Sequence, residues 1–247
     1  MLRVRPIHFT SRVQEFSALF DALGLVRVVN DVDWLEFDAG SGSVALHRTA
    51  ADSTDDGVTY LGFQVKDLDV FAERTRVAGS QAEILQEAHG RTAKITARDG
   101  LEFMVDPTDH LETVATANPQ LSVNALWYTP EVAAAAQDLG NIGAIPVSTA
   151  KNGQFADFKA KNGGKVLVHI AEKPAHGGLG FGYHGKLEVL LERLQAHQVQ
   201  AHIIDESYGR TLHLSNPDYA ELPNNPTGAT IWINEEDQED HYGYLKH

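Results

Sequence analysis

Apolar positions along the chain switch between two periods, and the switches recur in the same order in both halves. Residues 2–10 alternate weakly, with Val4, Ile7 and Phe9 on the apolar positions, which predicts a short strand. Val13, Phe16, Phe20 and Leu23 follow at helical spacing, and Gly24 supplies a stop. Residues 34–37 and 43–47 read as strands around a hairpin turn at Ala39-Gly40-Ser41-Gly42. After a polar loop from Ala50 to Gly57, residues 60–65 read as a strand. Asp67 then reads as the N-cap of a helix carrying Leu68, Phe71, Thr75 and Val77, with Gly79 behind it. Ile84-Leu85, residues 92–96 and residues 101–105 give three more strands. The first half is thus two strand–helix–strands units. The second half follows suit, with an Ala-rich helix over 132–139 and a second helix carrying Leu187, Leu190, Leu191 and Leu194. Lys151-Asn152-Gly153 and Lys161-Asn162-Gly163-Gly164 read as hairpin turns. Residues 230–233 form one more strand, for which 111–114 is the expected first-half counterpart.

The halves also share residues. Gly90-Arg91-Thr92, Asp99 and Glu102-Phe103 return 119 positions later as Gly209-Arg210-Thr211, Asp218 and Glu221-Leu222. Leu61-Gly62-Phe63 returns as Leu179-Gly180-Phe181, Leu46-His47 as Val168-His169, and Phe9-Thr10 as Tyr128-Thr129. A near-constant offset of half the chain indicates a duplicated domain rather than a solenoid of short repeats. The small polar linker Thr116-Ala117-Asn118-Pro119 places the domains at 1–117 and 118–247. The second domain ends in an acidic tail, from Glu235 to Asp240, that is expected to be solvated, with Tyr242 and Tyr244 docking back on the fold.

Composition narrows the partners. The 247 residues hold 43% hydrophobic and 22% charged residues, a globular balance, and no cysteine. Lys and Arg number 20 against 34 Asp and Glu, a net charge of −14 that disfavours nucleic acid and anionic membrane surfaces. No apolar run approaches bilayer length, and Met1–Pro6 lacks the apolar stretch of a secretion signal, so a cytoplasmic protein is expected. Gly180-Phe181-Gly182 lacks the context of a dinucleotide site, and there is no Gly-x-Ser-x-Gly elbow and no phosphate-binding loop.

The doubled strand–helix–strands units, the segment Leu-Gly-Phe-Gln-Val-x-Asp-Leu at 61–68, the Gly-Arg-Thr strand and the Arg-Asp-Gly turn at 98–100 resemble the vicinal oxygen chelate superfamily. That group includes glyoxalase I, extradiol dioxygenases and bleomycin-resistance proteins. The resemblance implies an α+β fold of tandem duplicated βαβββ units, each domain curving a mixed sheet into a cup around its ligand. It also implies a divalent ion held by His and carboxylates from four strands, polarising substrate oxygens or, if iron, activating dioxygen. Carried over, those positions fall on His8, Ala45 (with His47 two residues on), Tyr60 and Met104 (with Glu102 two residues earlier). In the second domain they fall on Trp127, Leu167 (with His169 beyond it), Gly178 and Pro223, with His176 as a nearby substitute for Gly178.

Set against the residue types, this donor set is incomplete. His8 reads either as a ligand or general base, or as a strand histidine bonded to a neighbouring carbonyl. The recurrence of Glu102 and Glu221 suits pairing with Arg91 and Arg210 on the adjacent strand. Tyr60, Met104 and Trp127 suit an aromatic and apolar cup, with His47 and His169 as further ligand contacts and Arg48, Lys94 and Arg98 at its rim. The leading expectation is a small-molecule-binding protein without a bound cofactor, acting by sequestration or as a metal-free lyase or isomerase through His8 and Glu102. The alternative is a metal-dependent lyase or extradiol-type dioxygenase with a divalent ion on His8, His47 and Glu102. A third reading is a scaffold whose cups are closed. The partner expected is a small organic ligand, and the chain is expected to work as a monomer or homodimer.

Overall fold

A computed structural model describes residues 1–206, 209–219, 230–236 and 244–247. The first half runs β1 (Leu2–Val4), β2 (Ile7–Thr10), α1 (Val13–Leu23), β3 (Val26–Asn30), β4 (Trp34–Asp38), β5 (Ser43–Arg48) and β6 (Thr59–Tyr60). It continues with β7 (Gly62–Val65), α2 (Leu68–Val77), β8 (Gln81–Glu87), β9 (Gly90–Thr96) and β10 (Glu102–Pro107). The second half runs β11 (Leu121–Thr129), α3 (Val132–Asn141), β12 (Ile145–Ala150), β13 (Phe155–Lys159), β14 (Lys165–Ile170), β15 (Ala175–His176) and β16 (Gly180–Tyr183). Then come α4 (Leu187–Ala196), β17 (Ala201–Glu206), β18 (Gly209–Ser215), a short 3-10 turn (Pro217–Tyr219), β19 (Thr230–Glu235) and β20 (Tyr244–Lys246). The α+β class and the repeated units expected from the sequence are both present.

Local chemistry accounts for the element ends. Gly24 takes φ +88 and caps α1 with its N–H on Phe20 and Asp21 carbonyls. Asp67 caps α2 by accepting the Val70 N–H. Both Lys-Asn-Gly segments are the turns of the β12–β13 and β13–β14 hairpins.

Strand order shows the duplication most plainly. The second half is one sheet, β17-β18-β19-β16-β11-β14-β13-β12-β20. The first half has the matching order in two pieces, β3-β4-β5-β2-β6 and β1-β7-β10-β9-β8. The break falls at Arg5-Pro6, the equivalent of Asn124-Ala125 in the unbroken β11. Proline has no N–H to give to the ladder, so the strand is interrupted there. Matching registers correct one expectation. Met104 pairs with Gly62 on β7, and Trp232 pairs with Gly180 on β16, so β19 is the counterpart of β10. Residues 111–114 form no strand, and Glu221, Pro223 and Tyr242 lie outside the described residues. The Arg pairing is corrected as well. Arg91 reaches Asp69 in the first turn of the helix and not Glu102, which pairs with Lys94. Arg210 reaches Glu188, again 119 residues on, and also Glu235 on the neighbouring β19, while its expected partner Glu221 lies outside the described residues.

One apolar core spans both halves. Phe20 meets Phe181 at 6.2 Å and Phe103 meets Trp127 at 5.7 Å, both edge-on. Two carboxylates pin this interface reciprocally. Asp99, in the turn after β9, accepts the Trp127 indole N–H of the second half at 2.9 Å. Asp218, in the turn after β18, binds His8 Nε2 of the first half at 2.8 Å and accepts the Thr10 hydroxyl at 2.6 Å. His8 and Trp127 occupy one position of the repeat, and Asp99 and Asp218 another. Each half therefore holds the other's first long strand by the same bond. Asp138 of α3, fully buried, adds bonds from Ser80, the Arg98 backbone N–H and the Arg98 guanidinium. Arg193 of α4 donates to the Ala22 carbonyl at the end of α1.

Asp99→Ala leaves a buried indole N–H without an acceptor and is expected to cost about 2 kcal/mol in urea unfolding. A double-mutant cycle with Trp127→Phe should return about 1 kcal/mol of coupling. Additive effects would mean that the bond contributes nothing to joining the halves.

Candidate functional site

Alternation along β2 decides where each candidate side chain goes. Phe9 stands opposite His47 on β5 and stacks on it at 4.6 Å, with Trp34 at 5.7 Å from His47 and Tyr60 at 5.4 Å from Phe9. The second half repeats this aromatic box, with Tyr128 at 5.9 Å and Phe155 at 4.9 Å from His169. This shared packing explains why His47 and His169 recur. Burial lowers the basicity of His169 and raises the Tyr128 phenol.

His8, one residue from Phe9, points to the opposite side of the sheet. Its ring packs on Phe16 of α1 at 4.4 Å, and its nitrogens meet Thr59 Oγ1 at 2.9 Å and Asp218 at 2.8 Å. Glu102 is exposed on β10 and pairs with Lys94 at 3.1 Å, and its carboxyl is held below the usual range first by that bond, then by Thr96. The structure therefore does not bring His8, His47 and Glu102 together, nor His8 and Glu102 as an acid–base pair. Trp127, expected as a ligand contact, is completely enclosed in the core.

The positions at which the superfamily holds a cation do not suit one. His8 faces away with both nitrogens occupied, and Ala45 offers no donor. Tyr60 gives its hydroxyl proton to Asp55 at 2.7 Å, and Met104 sits over Gly62. The second half offers Trp127, Leu167, Gly178 and, by strand register, Trp232 in place of Pro223. Among the described residues no group of three His, Asp or Glu is placed to hold a metal ion.

Deeper on these faces lie ion pairs. Arg5, fully buried, pairs with Glu36 at 3.4 Å and with Asp106, and lies 5.0 Å over the Trp34 ring. At the equivalent depth in the second half Glu236 accepts Lys165 Nζ at 2.7 Å, His184 at 2.8 Å and Ser122 Oγ at 3.0 Å. The tail is thus not solvated at its start. Glu236 enters a notch that exists because residue 182 is glycine, where a Cβ would overlap the carboxylate. Burial alone would raise the Glu236 carboxyl, but the bonds from His184 and Lys165 outweigh it and bring it down to about 2.

A cavity of about 300 Å³ opens where the halves meet. Leu126, Tyr128, the segment His176–Leu179, Asn216, Tyr219, Thr230 and Trp232 supply the second-half wall; the edges of His8 and of Gly57–Thr59 supply the first-half wall. Tyr60, Met104, His47 and His169 stand outside it. His176 is the residue that matters most here. Its Nδ1 accepts the Leu61 backbone N–H at 3.1 Å, and its ring meets Tyr60 edge-on at 5.0 Å. Burial lowers its basicity, opposed by nearby Asp99, so the ring is neutral near pH 7. The sequence hinted at it only through the glycines that follow, Gly177 and Gly178.

Similar architectures are found among solved structures. A variant of homoprotocatechuate 2,3-dioxygenase from Brevibacterium fuscum in complex with HPCA aligns over 96% of this chain and 71% of its own, at TM-score 0.61 and 14% identity. The 2,3-dioxygenase LapB from Pseudomonas sp. KL28 aligns over 99% and 94%, at TM-score 0.61 and 13% identity. Homoprotocatechuate 2,3-dioxygenase from Arthrobacter globiformis aligns over 95% and 78%, at 0.58 and 15%. The chain has the vicinal oxygen chelate fold. No protein-family model and no curated protein matches the sequence, so the likeness is one of architecture. Within this fold no described helix is long and apolar enough to cross a membrane.

Glu236 titrates far below its ordinary value, so its contribution to stability is complete above about pH 4.5 and lost as pH falls through about 2. Wild type is expected to exceed Glu236→Gln by about 2 kcal/mol in urea unfolding at pH 6, with the gap reduced to well under half of that by about pH 2.5. A gap that stays constant between those values would show that the charge of this carboxylate is not what holds the segment.

Proposed function

We propose that the protein binds a small planar organic molecule in the cavity between its halves and sequesters it, with no cation at the superfamily's ligand positions. The observation that carries this reading is the wall itself: Tyr128 and Trp232 flank an opening of about 300 Å³, the size and lining that small aromatic ligands occupy. The fold supports it, since the Brevibacterium fuscum dioxygenase has been solved with 3,4-dihydroxyphenylacetate, a single-ring aromatic. The side chains at the metal positions support the metal-free part, because methyl, thioether and indole groups replace imidazole and carboxylate.

The second reading, a metal-dependent lyase or extradiol-type dioxygenase on His8, His47 and Glu102, draws its support from the same neighbours. The opposed faces of His8 and His47 and the Lys94 pairing of Glu102 weigh against that particular triad.

Trp232 provides the readout. Single-ring aromatics are expected to quench its fluorescence, and Trp232→Leu should weaken their binding about tenfold, measured by calorimetry. Elemental analysis of protein purified without chelator should find no stoichiometric divalent ion. One tightly held ion per chain would overturn the metal-free part, and absence of any binding would overturn the whole.

A further inference from the structure

The cavity carries information about the charge and polarity of what it accepts. His176 Nδ1 faces the Leu61 backbone N–H, a donor that cannot reverse its role. The nitrogen that accepts must be unprotonated, so in the neutral ring the proton sits on Nε2. No described residue accepts a hydrogen bond from Nε2, and the ring lines the cavity. The first half thus fixes the tautomer with which the second half meets a ligand.

The rest of the described lining is uncharged. It contains no Lys, Arg, Asp or Glu, and the Asn216 amide and Tyr219 hydroxyl are further neutral polar groups in it, beside the His176 ring that Leu61 orients. Asp218 lies just behind His8, but its oxygens are engaged by His8 and Thr10. The Trp232 indole N–H is taken by Thr230 Oγ1 at 3.0 Å. An anion entering this site would lose its hydration with no counter-charge to replace it, in a protein of net charge −14. A cation would find no open carboxylate among these residues.

We infer that the ligand is an uncharged aromatic molecule bearing an oxygen acceptor, such as an aryl ketone, aldehyde or ester, and that His176 Nε2–H binds that oxygen. This rests on the binding role proposed above and assigns His176 as the residue that sets specificity. The low basicity of the buried imidazole is consistent with it.

Titration calorimetry on the full chain with three probes tests the inference. Acetophenone carries the acceptor, α-methylstyrene is its planar isostere with a methylene in place of the oxygen, and benzoate carries a charge. Wild type is expected to bind acetophenone about tenfold tighter than α-methylstyrene, the worth of one neutral hydrogen bond, with benzoate the weakest. In His176→Phe the ketone should lose that advantage while α-methylstyrene changes less than about twofold. His176→Gln, which keeps an acceptor for Leu61 and an N–H for the ligand, should restore most of it. Equal affinity of wild type for ketone and hydrocarbon, or preference for benzoate, would overturn the inference whether or not the variants fold. Failure of wild type to bind even α-methylstyrene would instead overturn the binding role on which it stands.

Discussion

The arrangement of the whole chain depends on two carboxylates that each reach into the opposite half. Asp99 holds Trp127 and Asp218 holds His8, and the two bonds are related by the repeat. A charge-assisted bond to a ring N–H in a buried setting is among the stronger polar contacts a fold can make, and breaking it leaves a desolvated donor. Because the bonds point in opposite directions across the interface, neither half can shift along the other without stretching one of them. The cavity, the Leu61–His176 bond and the edge contacts of Phe20 with Phe181 all lie in the space that this pair keeps in register.

That arrangement gives His8 a meaning different from the one its strand position suggests. The imidazole occupies the place of a fully buried tryptophan in the other copy, and both rings serve as the partner of an aspartate. Duplication here separated two tasks. The residues that match between halves, such as Arg91 and Arg210 with their helix carboxylates or the His47 and His169 boxes, maintain the fold. The residues that differ, such as Tyr60 against the glycines at 177 and 178, leave one concave face filled and the other open at the junction.

Much of the fold was legible in the sequence because local rules required particular residues. Gly24 had to adopt a left-handed conformation, Asp67 had to cap, and the turn following β9 and β18 needed Asp at the same place. The counterpart of β10 was misplaced because more residues separate Asp218 from β19 than separate Asp99 from β10, which no fixed offset can follow. Alternation separated His8 from Phe9 but could not say which face meets α1. Glu236 looked like the start of a solvated acidic run; its burial depends on Lys165 and on the missing side chain at Gly182, both distant in sequence. His176 was only a neighbour of glycines until Leu61 of the other half came beside it.

One substitution sets the two copies apart mechanically. Pro6 cuts the first half's sheet into a pair of five-stranded pieces, whereas Ala125 leaves its equivalent continuous from β17 to β20. A continuous lattice of backbone bonds spreads a local distortion over many strands; a seam confines it to one side. In the copy with the seam the two ladders end at Arg5 and Pro6 and are tied there to the neighbouring half, Val4 by its N–H to Gly163 and Ser41 by its N–H to Leu121, so the unbroken ladder of one copy completes the interrupted ladder of the other.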